Sequence, residues 1–259
     1  MTAADGGRGV AADPRTAALT FAGVGLRYPG GTRALDGIDL SVAPGEFVSV
    51  VGPSGCGKSS LLRIAAGLQA PTAGTVTGRG ESVGYVFQDA TLLPWRSVRA
   101  NVELFGELRG LGREERRKRA AEALDLVGLA DVAGHRPRTL SGGMRMRVSL
   151  ARSLTLRPGL FLLDEPFGTL DEITRERLDD DLLALFAARR FAALFVTHSV
   201  LEAVYLSSRV VVLSPGPGRV VGEFDVPFDY PRPAGLRFDP EAARLAALVS
   251  ACMRGAAAP

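Results

Sequence analysis

The chain has 259 residues, 46% of them hydrophobic and 23% charged, and a formal net charge of +3. This is ordinary globular composition, sufficient for a core without disulfides, and it excludes global disorder. So small a charge gives no argument for nucleic-acid binding, which needs a concentrated basic face. The two cysteines, Cys56 and Cys252, form no metal or disulfide pattern and point to a reducing, cytoplasmic setting. No run approaches the roughly 18–20 consecutive apolar residues of a spanning helix. Met1–Arg15 lacks the apolar stretch of a secretion signal. Only two of the 31 basic residues are lysine, Lys58 and Lys118. A position that keeps lysine therefore calls for a reason.

Residues 1–18 read as a disordered tail. Leu19–Phe21, Gly25–Tyr28 and Ile38–Val42 read as short strands, parted by turn signals at Tyr28-Pro29-Gly30-Gly31 and Ala43-Pro44-Gly45. Glu46–Val51 is expected to be a buried strand that runs into a glycine loop, and Ser59–Leu68 a helix. Thr75–Thr77 and Val83–Phe87 are further strands. Beyond residue 89 strand patterns disappear. Val98–Leu108 and Arg113–Val127 are expected helices, the second carrying a solvated face of Arg113, Arg116, Arg117, Lys118 and Arg119. A helix over Ser141–Leu156 follows, and the helical stretch spans about 89–156. Then come strand Leu160–Leu163, an amphipathic helix over Ile173–Arg190, strand Ala193–Thr197, helix Val200–Leu206 and strand Val210–Leu213. Residues 226–259 read as a Pro-rich tail with a short helix near Glu241–Val249. The outline is an α/β nucleotide-binding core with a helical insertion.

Gly52-Pro53-Ser54-Gly55-Cys56-Gly57-Lys58-Ser59 matches G-x-x-x-x-G-K-[ST]. It lies between an expected strand and an expected helix, the context this motif requires. Glycines let backbone N–H groups wrap a phosphate, and the helix N-terminus adds partial positive charge. Lys58 can reach terminal phosphates, and the Ser59 hydroxyl can ligate Mg²⁺; Ser60 completes the expected phosphate-binding set. A chance match is expected roughly 0.003 times in a chain of this composition. Lysine scarcity sharpens the match, because a compact ammonium fits among phosphates where a planar guanidinium does not. Cys56 reads as a small loop residue, with a reactive thiol at a helix N-terminus as the alternative.

Leu160–Leu163 is an apolar strand that ends in two acids, Asp164 and Glu165. Acids at such a strand end serve a site at the sheet's C-terminal edge. Asp164 is placed to hold Mg²⁺, and Glu165 to polarise a water that attacks the γ-phosphate. His198 follows another strand and can hydrogen-bond that phosphate, although a lone histidine here is more often structural. Gln88, after strand Val83–Phe87, can touch both the metal and the attacking water; alone it carries no signal. Leu140-Ser141-Gly142-Gly143-Met144 opens a helix, with Ser141 as N-cap and two glycines that expose N–H groups. One nucleotide does not need two helix N-termini from one chain, whereas a dimer gives both a use.

With these motifs the chain resembles an ABC transporter ATPase subunit over roughly residues 19–225. The resemblance implies a P-loop NTPase core with an N-terminal antiparallel β subdomain and a helical insertion. It implies that the glycine loop is Walker A, that Asp164 ends Walker B, and that Glu165 is the catalytic carboxylate. Leu140–Met144 then matches the signature motif, Gln88 the Q-loop, Asp171 of Gly168-Thr169-Leu170-Asp171 the D-loop, and His198 the switch histidine. Tyr28 stands where the family places an aromatic on adenine, a stack that contributes about 1–3 kcal/mol. The family also implies ATP and Mg²⁺, a head-to-tail homodimer with Ser141 covering the partner's nucleotide, and multi-span permease subunits. A solute-binding protein would act indirectly, and the location would be the cytoplasmic face of the membrane. Phe87-Gln88-Asp89 leading to Leu92-Leu93-Pro94-Trp95, the LSGGM form, and Ser214–Arg219 resemble nitrate, sulfonate and taurine importers. Thr197-His198-Ser199 with Glu202–Ser207 resembles importers of pyrimidine thiamin precursors. Met146 departs from a usual glutamine, which puts polar contacts from that helix face in doubt. The competing readings are a soluble ABC protein of DNA repair or ribosomes, and a kinase or GTPase. The first usually carries two cassettes or coiled coils; the second needs neither a signature motif nor His198.

Overall fold

The computed structural model describes residues 17–256, apart from residues 79 and 81. The first elements are β1 (Leu19–Arg27), β2 (Arg33–Val42), β3 (Phe47–Val51), α1 (Lys58–Ala65), β4 (Ala73–Thr77) and β5 (Val83–Val86). Three helices follow: α2 (Val98–Leu108), α3 (Arg113–Leu126) and α4 (Gly142–Leu154). The chain then alternates through β6 (Leu160–Asp164), α5 (Glu172–Arg189), β7 (Ala192–Thr197), α6 (Val200–Leu206) and β8 (Arg209–Leu213). It ends with β9 (Val220–Asp225) and α7 (Pro240–Gly255).

Strands β3, β6 and β7 are buried at every position. A strand with no polar face needs cover on both sides, as in a parallel sheet. They lie within a six-stranded sheet of order β5-β6-β7-β3-β8-β9. All its pairings are parallel except β8 with β9. Alternate side chains serve opposite layers. Leu160, Leu162, Val48 and Val50 meet α1 and the small sheet, whereas Phe161, Leu163, Phe47 and Val51 meet the helical side. Helix α1 is thus sandwiched, with Leu61, Leu62 and Ile64 fully buried. The small sheet is antiparallel, of order β2-β1-β4, as the antiparallel β subdomain requires.

This topology places the site. The C-terminal ends of four adjacent parallel strands, β5, β6, β7 and β3, emerge along one edge. The loops beyond them carry Gln88, Asp164–Glu165, His198 and the glycine loop. Open parallel sheets take ligands at this edge.

Three segments differ from the sequence expectation. The first two expected strands are one continuous β1, whose pairing shifts register beyond Phe21 and again near Gly25, with Gly23 at φ 59°. Strand β9 was not expected: it is an edge strand that alternates between half-buried and exposed, so its sequence lacks a buried-strand pattern. The helix expected near Glu241–Val249 is longer, running over Pro240–Gly255. Asp239 caps α7, Pro240 starts it, and Ala242, Ala246 and Val249 are buried at helical spacing. That stripe packs on α6, β8 and β9. The expected N-terminal tail lies, apart from Ala17 and Ala18, outside the described residues. Among the described residues no helix is long and apolar enough to cross a membrane.

Candidate functional site

The glycine loop is shaped by close approach. Gly57 has φ 102°, and a Cβ there would lie 2.7 Å from both the Ala34 carbonyl oxygen and Leu35 Cδ2. The hairpin between β8 and β9 clamps the same loop: a Cβ on Gly218 would lie 2.2 Å from the Cys56 carbonyl oxygen. Cys56 is 1% exposed, and burial pushes its thiol pKa up. It is a small packing residue, the reverse of an activated thiol. Lys58 is 5% exposed. Its ammonium donates to the carbonyls of Gly52 at 2.9 Å and Pro53 at 3.2 Å, and stands 3.7 Å from Glu165 Oε1. The lysine thus sits inside the loop that its type and spacing predicted.

The loop opens on a cleft of about 540 Å³, within the roughly 300–1,000 Å³ range of small-molecule sites. Tyr28, Ser54, Gly55, Gly57, Lys58, Ser59, Ser60, Gln88 and Glu165 line it. So do Thr32, Arg33, Ala34 and Gly216, which sequence reasoning missed. The Tyr28 hydroxyl is 2.9 Å from Ser60 Oγ, which fixes the ring at the rim.

Behind the cleft, Ser59 Oγ donates to Asp164 Oδ1 at 2.9 Å, and the Tyr85 hydroxyl donates to Oδ2 at 3.1 Å. Asp164 is 8% exposed, and burial raises its pKa against those two hydrogen bonds. Tyr85 was missed. Its register opposite Leu162, on the strand beside Asp164, is the signal that would have found it. A buried carboxylate facing a hydroxyl is a hard-oxygen donor pair, which suits Mg²⁺. Gln88 opens onto the same cleft.

Glu165 has φ 44°, in the left-handed region. For a non-glycine residue this costs about 1–3 kcal/mol and persists where the surroundings enforce it. Here its N–H donates to the Val196 carbonyl at 2.9 Å. Its carboxylate lies between Lys58 and His198, whose Nδ1 is 3.5 Å from Oε2. His198 is 57% exposed at the rim of this edge. Arg152, buried on α4, donates to the carbonyls of Ala90 and Thr91 at 3.1 and 3.0 Å and so holds the loop after Gln88.

Ser141, Gly142, Gly143 and Asp171 do not line this cleft. Ser141 is exposed and caps α4 by accepting from the Met144 N–H at 3.3 Å. Gly143 is buried, packed against Thr174 of α5. Asp171 caps α5, and hydrogen bonds from Thr174 hold its carboxyl below the usual range. Ser141, Gly142 and Asp171 lie on a second surface. Met146 is 4% exposed and belongs to the apolar core.

Residues 35–168 match the ABC transporter family. An ATP-binding protein of Brucella abortus is 45% identical over 234 residues, covering 88% of this chain and 90% of that protein. The taurine import ATP-binding protein TauB of Chromobacterium violaceum is 44% identical over 238 residues, covering 87% and 91%. Among solved structures, a dimeric bacterial ABC transporter cassette superposes with a TM-score of 0.72 at 34% identity, covering 82% of this chain and all of that one.

Proposed function

The chain belongs to the ABC transporter family, and from that premise we propose that it is the ATP-hydrolysing subunit of an importer for taurine or a related solute. Nitrate and aliphatic sulfonates are the related solutes in view. One observation carries the hydrolytic reading: loops from four adjacent parallel strands bring Lys58, Ser59, Asp164, Glu165, Gln88 and His198 to one edge. The taurine import names of similar proteins support the solute class.

The roles follow from geometry and charge. The loop N–H groups and Lys58 bind the triphosphate, and the Tyr28 ring stacks on the base. Lys58 is already desolvated, so it loses little hydration when phosphates replace the loop carbonyls. Ser59, Asp164 and Gln88 would hold Mg²⁺, which offsets phosphate charge when bound. Glu165 accepts the proton of the attacking water as its oxygen bonds to the γ-phosphorus and ADP leaves. His198 holds Glu165 on one side and the γ-phosphate on the other. Ser141 is exposed, with Gly142 and Gly143 following it at the start of α4, so this helix N-terminus completes the cleft of a second copy in a head-to-tail dimer. The dimeric cassette it resembles supports this arrangement.

Permease docking is proposed around Trp95, which is 67% exposed, beside the Gln88 loop. Buried Asn101 holds residues 93–97 through hydrogen bonds with Leu93, Arg96 and Ser97, and so presents that ring. Such docking would place the subunit at the cytoplasmic face of the membrane. The decisive test is Mg²⁺-dependent phosphate release from ATP by the purified chain; none above background refutes the reading. Solute identity is tested in proteoliposomes with the permease and binding protein encoded beside it. Taurine should stimulate hydrolysis. Stimulation by a pyrimidine instead would move the solute class.

A further inference from the structure

Outside the cleft, the described residues bury two carboxyl groups together. Asp179 of α5 is 4% exposed and Glu202 of α6 is 8% exposed. They border the same cavity of about 210 Å³ between α5, α6 and the segment at Arg237, where each carboxyl group feels the other's charge. Asp179 Oδ1 has no conventional donor. The nearest cation does not supply one: Arg237 pairs with Asp180 at 2.8 Å and stands 3.8 Å from Asp179 Oδ2. The Tyr205 hydroxyl is likewise spent on Asp180, at 2.6 Å. Arg175, Glu172 and Glu176 face the same cavity. Arg175 donates to the Leu170 carbonyl at 2.9 Å.

Two ionised carboxylates cannot sit together in such a place, so one retains a proton. That proton also supplies the donor that Asp179 lacks. Burial pushes the Asp179 carboxyl up to about 8, against Arg237 and Arg175 and with Glu202 and Asp180. Burial raises Glu202 as well, against its hydrogen bond from Thr197 and the charges of Arg175 and His198.

Glu202 is tied to the histidine loop. The buried Thr197 hydroxyl donates to Glu202 Oε2. Thr197 Oγ1 accepts from the Ser199 N–H at 3.0 Å, and Ser199 Oγ accepts from the Glu202 N–H at 3.2 Å. Thr197 is therefore anchored on this carboxyl group, and Ser199 on Thr197 and on the Glu202 backbone N–H. Helix α5 begins at Asp171, on the second surface described above. A proton held between Asp179 and Glu202 would join that helix to the His198 loop.

We propose that Asp179 and Glu202 share one proton, and that the pair is a positioning device that aims His198 at the cleft. The proposal rests on the ATPase reading. When the proton is lost, two like charges face each other across α5 and α6. Thr197 then loses its fixed anchor, Ser199 shifts with it through their hydrogen bond, and His198 loses its aim while the glycine loop is untouched. The device thus acts on turnover rather than on nucleotide binding.

The test compares kcat and KM for ATP across pH in the full chain and its Glu202→Gln, Asp179→Asn and Glu202→Ala variants. Wild-type kcat should fall about tenfold per pH unit above the titration of the pair. Glu202→Gln and Asp179→Asn replace the shared proton with an amide donor, so they should keep the neutral rate and lose that decline. Glu202→Ala should lose about 100-fold in kcat at every pH, with KM within about twofold. Difference infrared spectra without nucleotide give a second readout. The wild type should show a protonated-carboxyl C=O band at neutral pH that both amide variants lack. Identical pH profiles for wild type and amide variants, or no such band, would overturn the proposal. A wild type without any hydrolysis would instead overturn the ATPase reading, and the infrared band would then decide the shared proton alone.

Discussion

Replacing Lys58 with arginine keeps the charge and changes only its shape, which makes it the sharpest test of the cleft. The Lys58 ammonium makes two hydrogen bonds to loop carbonyls, at 2.9 and 3.2 Å, with Glu165 at 3.7 Å, in a position 5% exposed. A longer, planar guanidinium cannot place its charge where the compact ammonium would meet the phosphates that replace these carbonyls, so at least one charge-assisted contact to phosphate is lost. Each such bond contributes about 1.5–3 kcal/mol. At 1.4 kcal/mol per factor of ten, Lys58→Arg should weaken ATP binding by about 10- to 100-fold. The assay is titration calorimetry with ATP, and Lys118→Arg is the control. Lys118 lies exposed on α3, so its replacement should change nothing. If Lys58→Arg binds ATP within about threefold of wild type, lysine at this position has no geometric reason and the argument fails.

The remaining expectations address other parts of the molecule. Glu165→Gln should retain ATP binding and lose about 100-fold or more in hydrolysis, measured by phosphate release. Ser141→Arg in the Glu165→Gln background should abolish ATP-driven dimers on a sizing column; persistent dimers would remove Ser141 from the interface. Gly218→Ala should cost about 2 kcal/mol or more, because its Cβ would meet the Cys56 carbonyl at 2.2 Å. Thermal unfolding should report that loss. Asp179→Asn tests linkage. The folded-state pKa of Asp179 is raised, so its contribution to stability is present at low pH and lost as pH rises through about 8. The melting temperature of the asparagine variant relative to wild type should therefore increase with pH across that window.

What could be read from the sequence was local. The glycine loop is eight consecutive residues with a buried strand before them and a helix after, so Lys58 and Ser59 were legible without any fold. Asp164 and Glu165 were legible because acids end an apolar run. The missed residues depend on register across the sheet or on distant packing. Tyr85 reaches Asp164 across 79 positions of chain, through a strand pairing that no local pattern encodes. Gly218 is required by contact with Cys56, and Asp179 matters because α5 happens to face α6. Strand β9 escaped because an edge strand with one partner buries little. The extent of α7 escaped because Asp239-Pro240 looked like one more break in a Pro-rich stretch, whereas aspartate before proline is also a helix start.

The strained backbone at Glu165 carries a consequence for anyone who evolves this protein. A glutamate at φ 44° holds a conformation that glycine adopts without penalty. Glycine at this position should relax the turn after β6 and raise the melting temperature while removing the carboxylate. A library screened for heat tolerance alone would then enrich sturdier, inert proteins at residue 165. Hardening this scaffold calls for paired screens, in which survival on heating and phosphate release are scored on the same clones.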